Sequence, residues 1–148
     1  MLTRMARSVA LAATVAAVAL AGCGTTHQGG QGNGGDGTHR TQLIVKRDSA
    51  NGSTVKLAPG DKLELILGSS YWNFRGSSAP GVLRQIGSPV LLKATRACVV
   101  GGGCRPKKVI YRAVKAGTAV ITAHRVSCGE ALACTGKKGS FKLTVVVS

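Results

Sequence analysis

The stretch "DKLELIL", residues 61–67, sets Leu63, Leu65 and Leu67 at every second position, with Lys62, Glu64 and Ile66 between them. A period of two places the leucines on one face of a β-strand, whereas a helix would scatter them around its axis. The segment is therefore expected to be a half-buried strand. Working outward, similar alternation or β-branched enrichment marks "TQLIVKR" (41–47), "STVKLA" (53–58), "SYWNFR" (70–75), "PVLLKATRA" (89–97), "KKVIYRAV" (107–114), "TAVITAHRV" (118–126) and "SFKLTVVV" (140–147). Turn residues separate them: "APGD" (58–61) and "KAGT" (115–118) place glycine where a tight or left-handed conformation is needed. No segment shows a helical stripe flanked by caps. Seven or eight short antiparallel strands in about a hundred residues predict an all-β sandwich, with a barrel-like closure left open. The stretch 77–89, "SSAPGVLRQIGSP", reads as a crossover between two sheets, with room for a short strand or helical turn around 82–86.

The amino-terminal stretch predicts where this sandwich resides. Arg4 and Arg7 precede an apolar run over residues 9–21 and small residues before Cys23. That is the layout of a secretory signal, and the run is short for a membrane span. Its end, "LAGC" (20–23), resembles the lipobox of bacterial lipoproteins. The resemblance implies cleavage before Cys23 and lipidation of its thiol, so that residues 1–22 form a signal peptide and the mature protein is extracytoplasmic, anchored to the bacterial cell membrane, with its side of a two-membrane envelope left open. Residues 23–40, rich in Gly, Thr, Gln and Asn, lack large apolar side chains and read as a tether. His27 and His39 within it read as solvated rather than metal-binding. Residues 41–148 then hold a single domain.

Composition limits the chemistry. The chain has 20 basic and 5 acidic residues, a net charge of +15, and few aromatics: one Trp, two Tyr and two Phe. Val, Leu, Ile and Ala must fill most of the core. Inside a cell such a charge would point to nucleic acid. Outside the membrane, anionic lipid headgroups, wall polymers or an acidic protein are the available partners, and no nucleic acid is expected. The charge also serves solubility. The acids of the domain are Asp48, Asp61, Glu64 and Glu130, its one histidine is His124, and no serine lies in a nucleophile elbow. No enzymatic constellation emerges, and no cofactor is expected.

Removing Cys23 from the thiol count leaves four cysteines in two loops with the same spacing, "CVVGGGC" (98–104) and "CGEALAC" (128–134). Structural zinc sites usually place paired ligands two to four residues apart, and redox pairs use Cys-x-x-Cys beside a helix amino terminus. Neither pattern is present, so no metal is expected and disulfides are, in keeping with an oxidising compartment. Four cysteines permit three connectivities. The expectation is Cys98 with Cys104 and Cys128 with Cys134, each closing its own loop; cross-loop pairing stays open if the loops share one end of the sandwich.

The order of "LAPGDKLELILGSSYWNF" (57–74), "VIYRAVKAGTAVITA" (109–123) and "SFKLTVVV" (140–147) resembles the chagasin family of cysteine peptidase inhibitors. The resemblance spans most of residues 55–147 and implies an immunoglobulin-like β-sandwich. In that family three loops at one end enter the cleft of papain-like peptidases. The place of the first, NPTTG-type loop holds "GSSYWNF" (68–74), with Ser70, Tyr71 and Trp72 as candidate contacts. The GxGG-type loop has its counterpart in "VVGGGC" (99–104), with Gly101, Gly102 and Gly103. The RPW-type loop corresponds to "HRVSCG" (124–129), which keeps Arg125 and puts Val126 and Ser127 in the positions of proline and tryptophan. Trp72 has two readings, an exposed aromatic anchor with Tyr71 or a core residue between the sheets. The sequence thus supports a membrane-anchored binding module that inhibits a papain-like peptidase. The other reading is an interaction lipoprotein that uses its basic surface to hold an anionic envelope polymer or an acidic protein.

Overall fold

The structure, a computed structural model, describes residues 40–94, 97–99, 101–129 and 132–148. The signal segment, Cys23, the stretch 24–39 with its two histidines, and Glu130 lie outside the described residues. The elements are β1 (Leu43–Arg47), a 3-10 turn (Asp48–Ala50), β2 (Thr54–Leu57), β3 (Lys62–Leu67), β4 (Asn73–Ser77), β5 (Leu83–Leu91), β6 (Lys107–Ala113), β7 (Gly117–His124), β8 (Ser127–Gly129), β9 (Leu132–Ala133), a second 3-10 turn (Gly136–Lys138) and β10 (Ser140–Val147). Two four-stranded sheets face each other, in the orders β1-β3-β6-β5 and β2-β10-β7-β4, and β8 and β9 form a separate ribbon.

The alternation in "DKLELIL" does what it predicts. Leu63, Leu65 and Leu67 are fully buried, and Leu63 and Leu65 lie opposite Tyr111 and Val109 of β6. From the other sheet, Ile121 of β7 pairs with Leu143 of β10, and Ala119, Ala123, Phe141, Val145 and Val147 fill the same interior. Fully burying one such aliphatic chain is worth about 1.5–3 kcal/mol. A slip of one residue would bring Lys62 and Glu64 inside, so the pattern fixes the register. Ile66 departs from the two-faced pattern: it points outward yet is 7% exposed, between Arg47 of β1 and Lys108 of β6. All core residues among those described fall within residues 50–147.

Two pairings are parallel, β1 with β3 and β2 with β10, so the sheets are mixed rather than purely antiparallel as expected. Asp61 braces the first of these. Its buried carboxylate accepts the backbone N–H groups of Gln42 (2.9 Å) and Ala58 (2.8 Å), joining the entry to β1 with the turn before β3. The expected strand over residues 89–97 is displaced: β5 begins at Leu83 and ends at Leu91. The crossover between sheets is correspondingly shorter, and the strand alternative within 77–89 is the one adopted. Gly87 and Pro89 had the look of a turn, but β5 is an edge strand with an irregular register between Ile86 and Val90. A missing N–H and a left-handed glycine (φ 66° at Gly87) are tolerated there. β4 starts at Asn73 rather than Ser70, because residues 68–72 are held by loop contacts.

Candidate functional site

One end of the sandwich gathers the last residues of β3, β5 and β7 and the first of β4, β6 and β10. Lys107 lies opposite both Leu67 and Leu91, and His124 opposite both Asn73 and Ser140. The three loops singled out by sequence therefore leave from the same end.

Backbone and side-chain bonds tie the first loop to its neighbours. Gly68 donates its N–H to Asp48 Oδ2 (2.8 Å), Ser70 donates its N–H to the Gly103 carbonyl (2.9 Å), and Lys107 Nζ donates to the Trp72 carbonyl (2.7 Å). Tyr71 donates its hydroxyl to the Gly101 carbonyl. Its ring lies so close to Gly103 that a Cβ there would overlap it, and Gly103 also has φ 61°. Glycine is required at 103 on both counts. Tyr71, Ser70 and the glycine loop enclose a hollow of 430 Å³ that Val99 and Arg105 also line.

The second loop is closed at its base by Leu92 and Pro106, whose N–H and carbonyl meet at 2.8 Å, and by Arg105 Nε donating to the Leu92 carbonyl at 3.1 Å. Higher up, Cys98 and Cys104 are joined with Cα atoms 5.8 Å apart. The Gly102 N–H donates to the Val99 carbonyl at 3.0 Å. In the third loop Cys128 and Cys134 are joined with Cα atoms 5.1 Å apart, across the β8–β9 ribbon that sequence did not announce. Both disulfides are the expected local pairs. Cys134 donates its N–H to the Val126 carbonyl (2.9 Å), and Ser127 Oγ donates to the Gly129 carbonyl (2.8 Å). Backbone bonds and a disulfide in each restrain both cysteine loops.

Trp72 takes the core reading. It is 3% exposed and meets Phe141 edge-on, with ring centroids 6.4 Å apart. Arg125 covers it from outside, its guanidinium carbon 4.6 Å from the ring centroid. Arg125 also donates its N–H to the Gly139 carbonyl and Nε to the Lys138 carbonyl, both at 2.9 Å. The pair closes the core at the loop end instead of offering an aromatic anchor. Tyr111 sits deeper, fully buried, and burial pushes its phenol well above the ordinary tyrosine range.

The side chains left for a partner are mostly aliphatic. Val99, Val126 and Leu132 stand 69%, 76% and 62% exposed on the second and third loops. Sequence singled out Val126; Val99 and Leu132 are additions, legible only as large apolar residues placed between turn markers. His124 meets the Arg75 guanidinium (Nε to Nδ1 3.3 Å), and no group of three or more His, Cys, Asp or Glu among the described residues could hold a metal.

The all-β sandwich is similar in fold to solved structures of other proteins. The cysteine protease inhibitor EhICP2 from Entamoeba histolytica superposes with a TM-score of 0.53 at 13% identity, over 73% of this chain and 97% of that one. Amebosin matches 74% of this chain and 99% of its own, with a TM-score of 0.48 and 18% identity. PbICP-C, solved in complex with falcipain-2, matches 74% and 90%, with a TM-score of 0.37 and 15% identity. No protein-family model matches the chain, and no curated protein does.

Proposed function

We propose that this protein is a membrane-anchored, extracytoplasmic binding module whose loop end blocks the cleft of a papain-like cysteine peptidase. The observation that supports it most is the convergence of the three loops, with the first pinned to the second through Tyr71 and Gly103. The fold shared with a cysteine protease inhibitor gives that convergence a functional sense. A flexible loop entering a peptidase cleft would be cut, whereas loops closed by disulfides are restrained and cost less to order on binding. The exposed Val99, Val126 and Leu132 supply apolar surface to bury. Residue types for hydrolysis are not needed in this role. Lipidation of Cys23, with residues 1–22 removed, would hold the domain outside the cytoplasmic membrane.

Two measurements test the reading. Steady-state assays of papain-like peptidases with the folded, oxidised domain should give competitive inhibition; none at micromolar excess removes the peptidase as partner. Metabolic labelling with a radiolabelled fatty acid should mark the wild type and not Cys23→Ser; equal labelling removes the anchor.

A further inference from the structure

At the other end of the β1-β3-β6-β5 sheet, its outer face carries a feature that peptidase binding does not use. Lys62 lies opposite Arg112, and Arg112 opposite Arg84, so three cations form one line across β3, β6 and β5. Adjacent strands are about 4.8 Å apart, and like charges directly opposite one another are unfavourable. Glu64, the acid on this face among the described residues, pairs with Lys108 at 3.4 Å one row further along. That pair includes none of the three cations of the row.

Exposed aliphatics flank these cations. Leu43 (58% exposed) extends the row onto β1, and Ile86 (40%) and Val114 (38%) join Arg84 and Arg112 around an open hollow of 490 Å³. Two guanidinium forks beside aliphatic walls match a phosphate ester attached to an apolar body. Gln42, just before β1, lies at the same end: Lys62 donates its N–H to the Gln42 carbonyl (2.8 Å). The loop end lies five residues further along the strands, about 16 Å at 3.3 Å per residue.

We propose that the outer face of this sheet, through Lys62, Arg112 and Arg84, docks on an anionic lipid surface. The choice of a membrane as occupant rests on the proposed lipidation of Cys23: residues 24–40, seventeen in number, can reach at most about 60 Å, so the row stays within reach of the bilayer that would hold the anchor. Cation–headgroup contacts there would leave the loop end, displaced along the strands, outside the contact.

Residues 24–148 lack the lipidated cysteine and retain the whole described core, so they isolate this contact from the anchor. Co-sedimentation with phosphatidylglycerol–phosphatidylcholine vesicles at low salt should show binding that phosphatidylcholine alone does not give. The triple change Lys62→Gln, Arg84→Gln and Arg112→Gln should weaken it on the order of a hundredfold, given about fivefold per cation at an anionic surface. Removing the same charge from the opposite sheet, by Lys56→Gln, Arg75→Gln and Lys142→Gln, should weaken it only severalfold. Circular dichroism confirms that both variants stay folded. Equal losses in the two triples would mean diffuse charge and overturn the proposal, as would no vesicle binding. Retention of inorganic polyphosphate without vesicle binding would replace the membrane with a polymer and overturn it too. Peptidase inhibition by the first triple should match wild type, so failure of this site and failure of the inhibitor reading are separately visible.

Discussion

The guanidinium of Arg125 caps the ring of Trp72 at 4.6 Å, joining the third loop to the first across the end of the core. The two residues come from segments more than fifty positions apart, and the contact explains why an arginine on an exposed loop is half-buried. It also turns the one tryptophan of the chain into a reporter on loop packing.

Arg125→Ala is expected to destabilise the domain by about 1–2 kcal/mol, from the lost cation–ring contact and the bond to the Lys138 carbonyl. Tryptophan emission should move to longer wavelength as water reaches the ring. Urea titration followed by fluorescence measures both; an unchanged midpoint and an unchanged emission maximum would show that Arg125 is a solvated charge.

Gly103→Ala should cost about 1–3 kcal/mol, since alanine disfavours φ 61° and its Cβ would displace the Tyr71 ring. Amide exchange at Ser70, whose N–H bonds to the Gly103 carbonyl, should speed up while the core amides of β3 and β6 change much less. Tyr71→Phe, which removes the hydroxyl bond to Gly101 but keeps the ring, should have the milder effect.

Replacing Cys98 and Cys104 together by serine should lower stability by about 2 kcal/mol on the chain-entropy account of a short loop. The far-ultraviolet dichroism of the sandwich should survive, because the described core residues lie on strands and loops that do not include either cysteine. Global unfolding of this variant at room temperature, read in the same spectrum, would contradict that independence.

Stability should fall as pH rises above about 10, the ordinary tyrosine value. Burial holds the folded Tyr111 phenol neutral beyond that point. The unfolded chain then binds fewer protons than the folded one, so the slope of unfolding free energy with pH is negative there. Below about 10 both states are protonated and this group gives no slope. Tyr111→Phe should flatten the alkaline decline. At neutral pH it should cost little, since the hydroxyl is buried without a hydrogen-bond partner among the described residues.

Strands whose one face is buried were legible because burial and sequence period coincide: "DKLELIL", "KKVIYRAV", "TAVITAHRV" and "SFKLTVVV" all became strands at nearly the expected residues. The edge strand β5 was misplaced because edges tolerate Gly87 and Pro89, residues that interior strands avoid. Parallel pairing of β1 with β3 is braced by Asp61 accepting the N–H of Gln42, nineteen residues away, a contact that leaves no mark in local periodicity. At the site, equal cysteine spacing pointed to the local disulfides. Trp72 could be weighed as anchor or core, but its cover by Arg125 is a contact over long sequence separation. The cationic row likewise exists only through register: Lys62, Arg84 and Arg112 are unremarkable among the basic residues until β3, β6 and β5 align them.

If the three loops enter an open peptidase cleft, as proposed, calorimetry against one papain-like peptidase in two forms will show it. Binding to the free enzyme should be tight, and binding to the same enzyme with its cleft filled by a covalent active-site inhibitor should be abolished. Equal affinity for both forms, or no heat with either while the domain remains folded, would contradict the account.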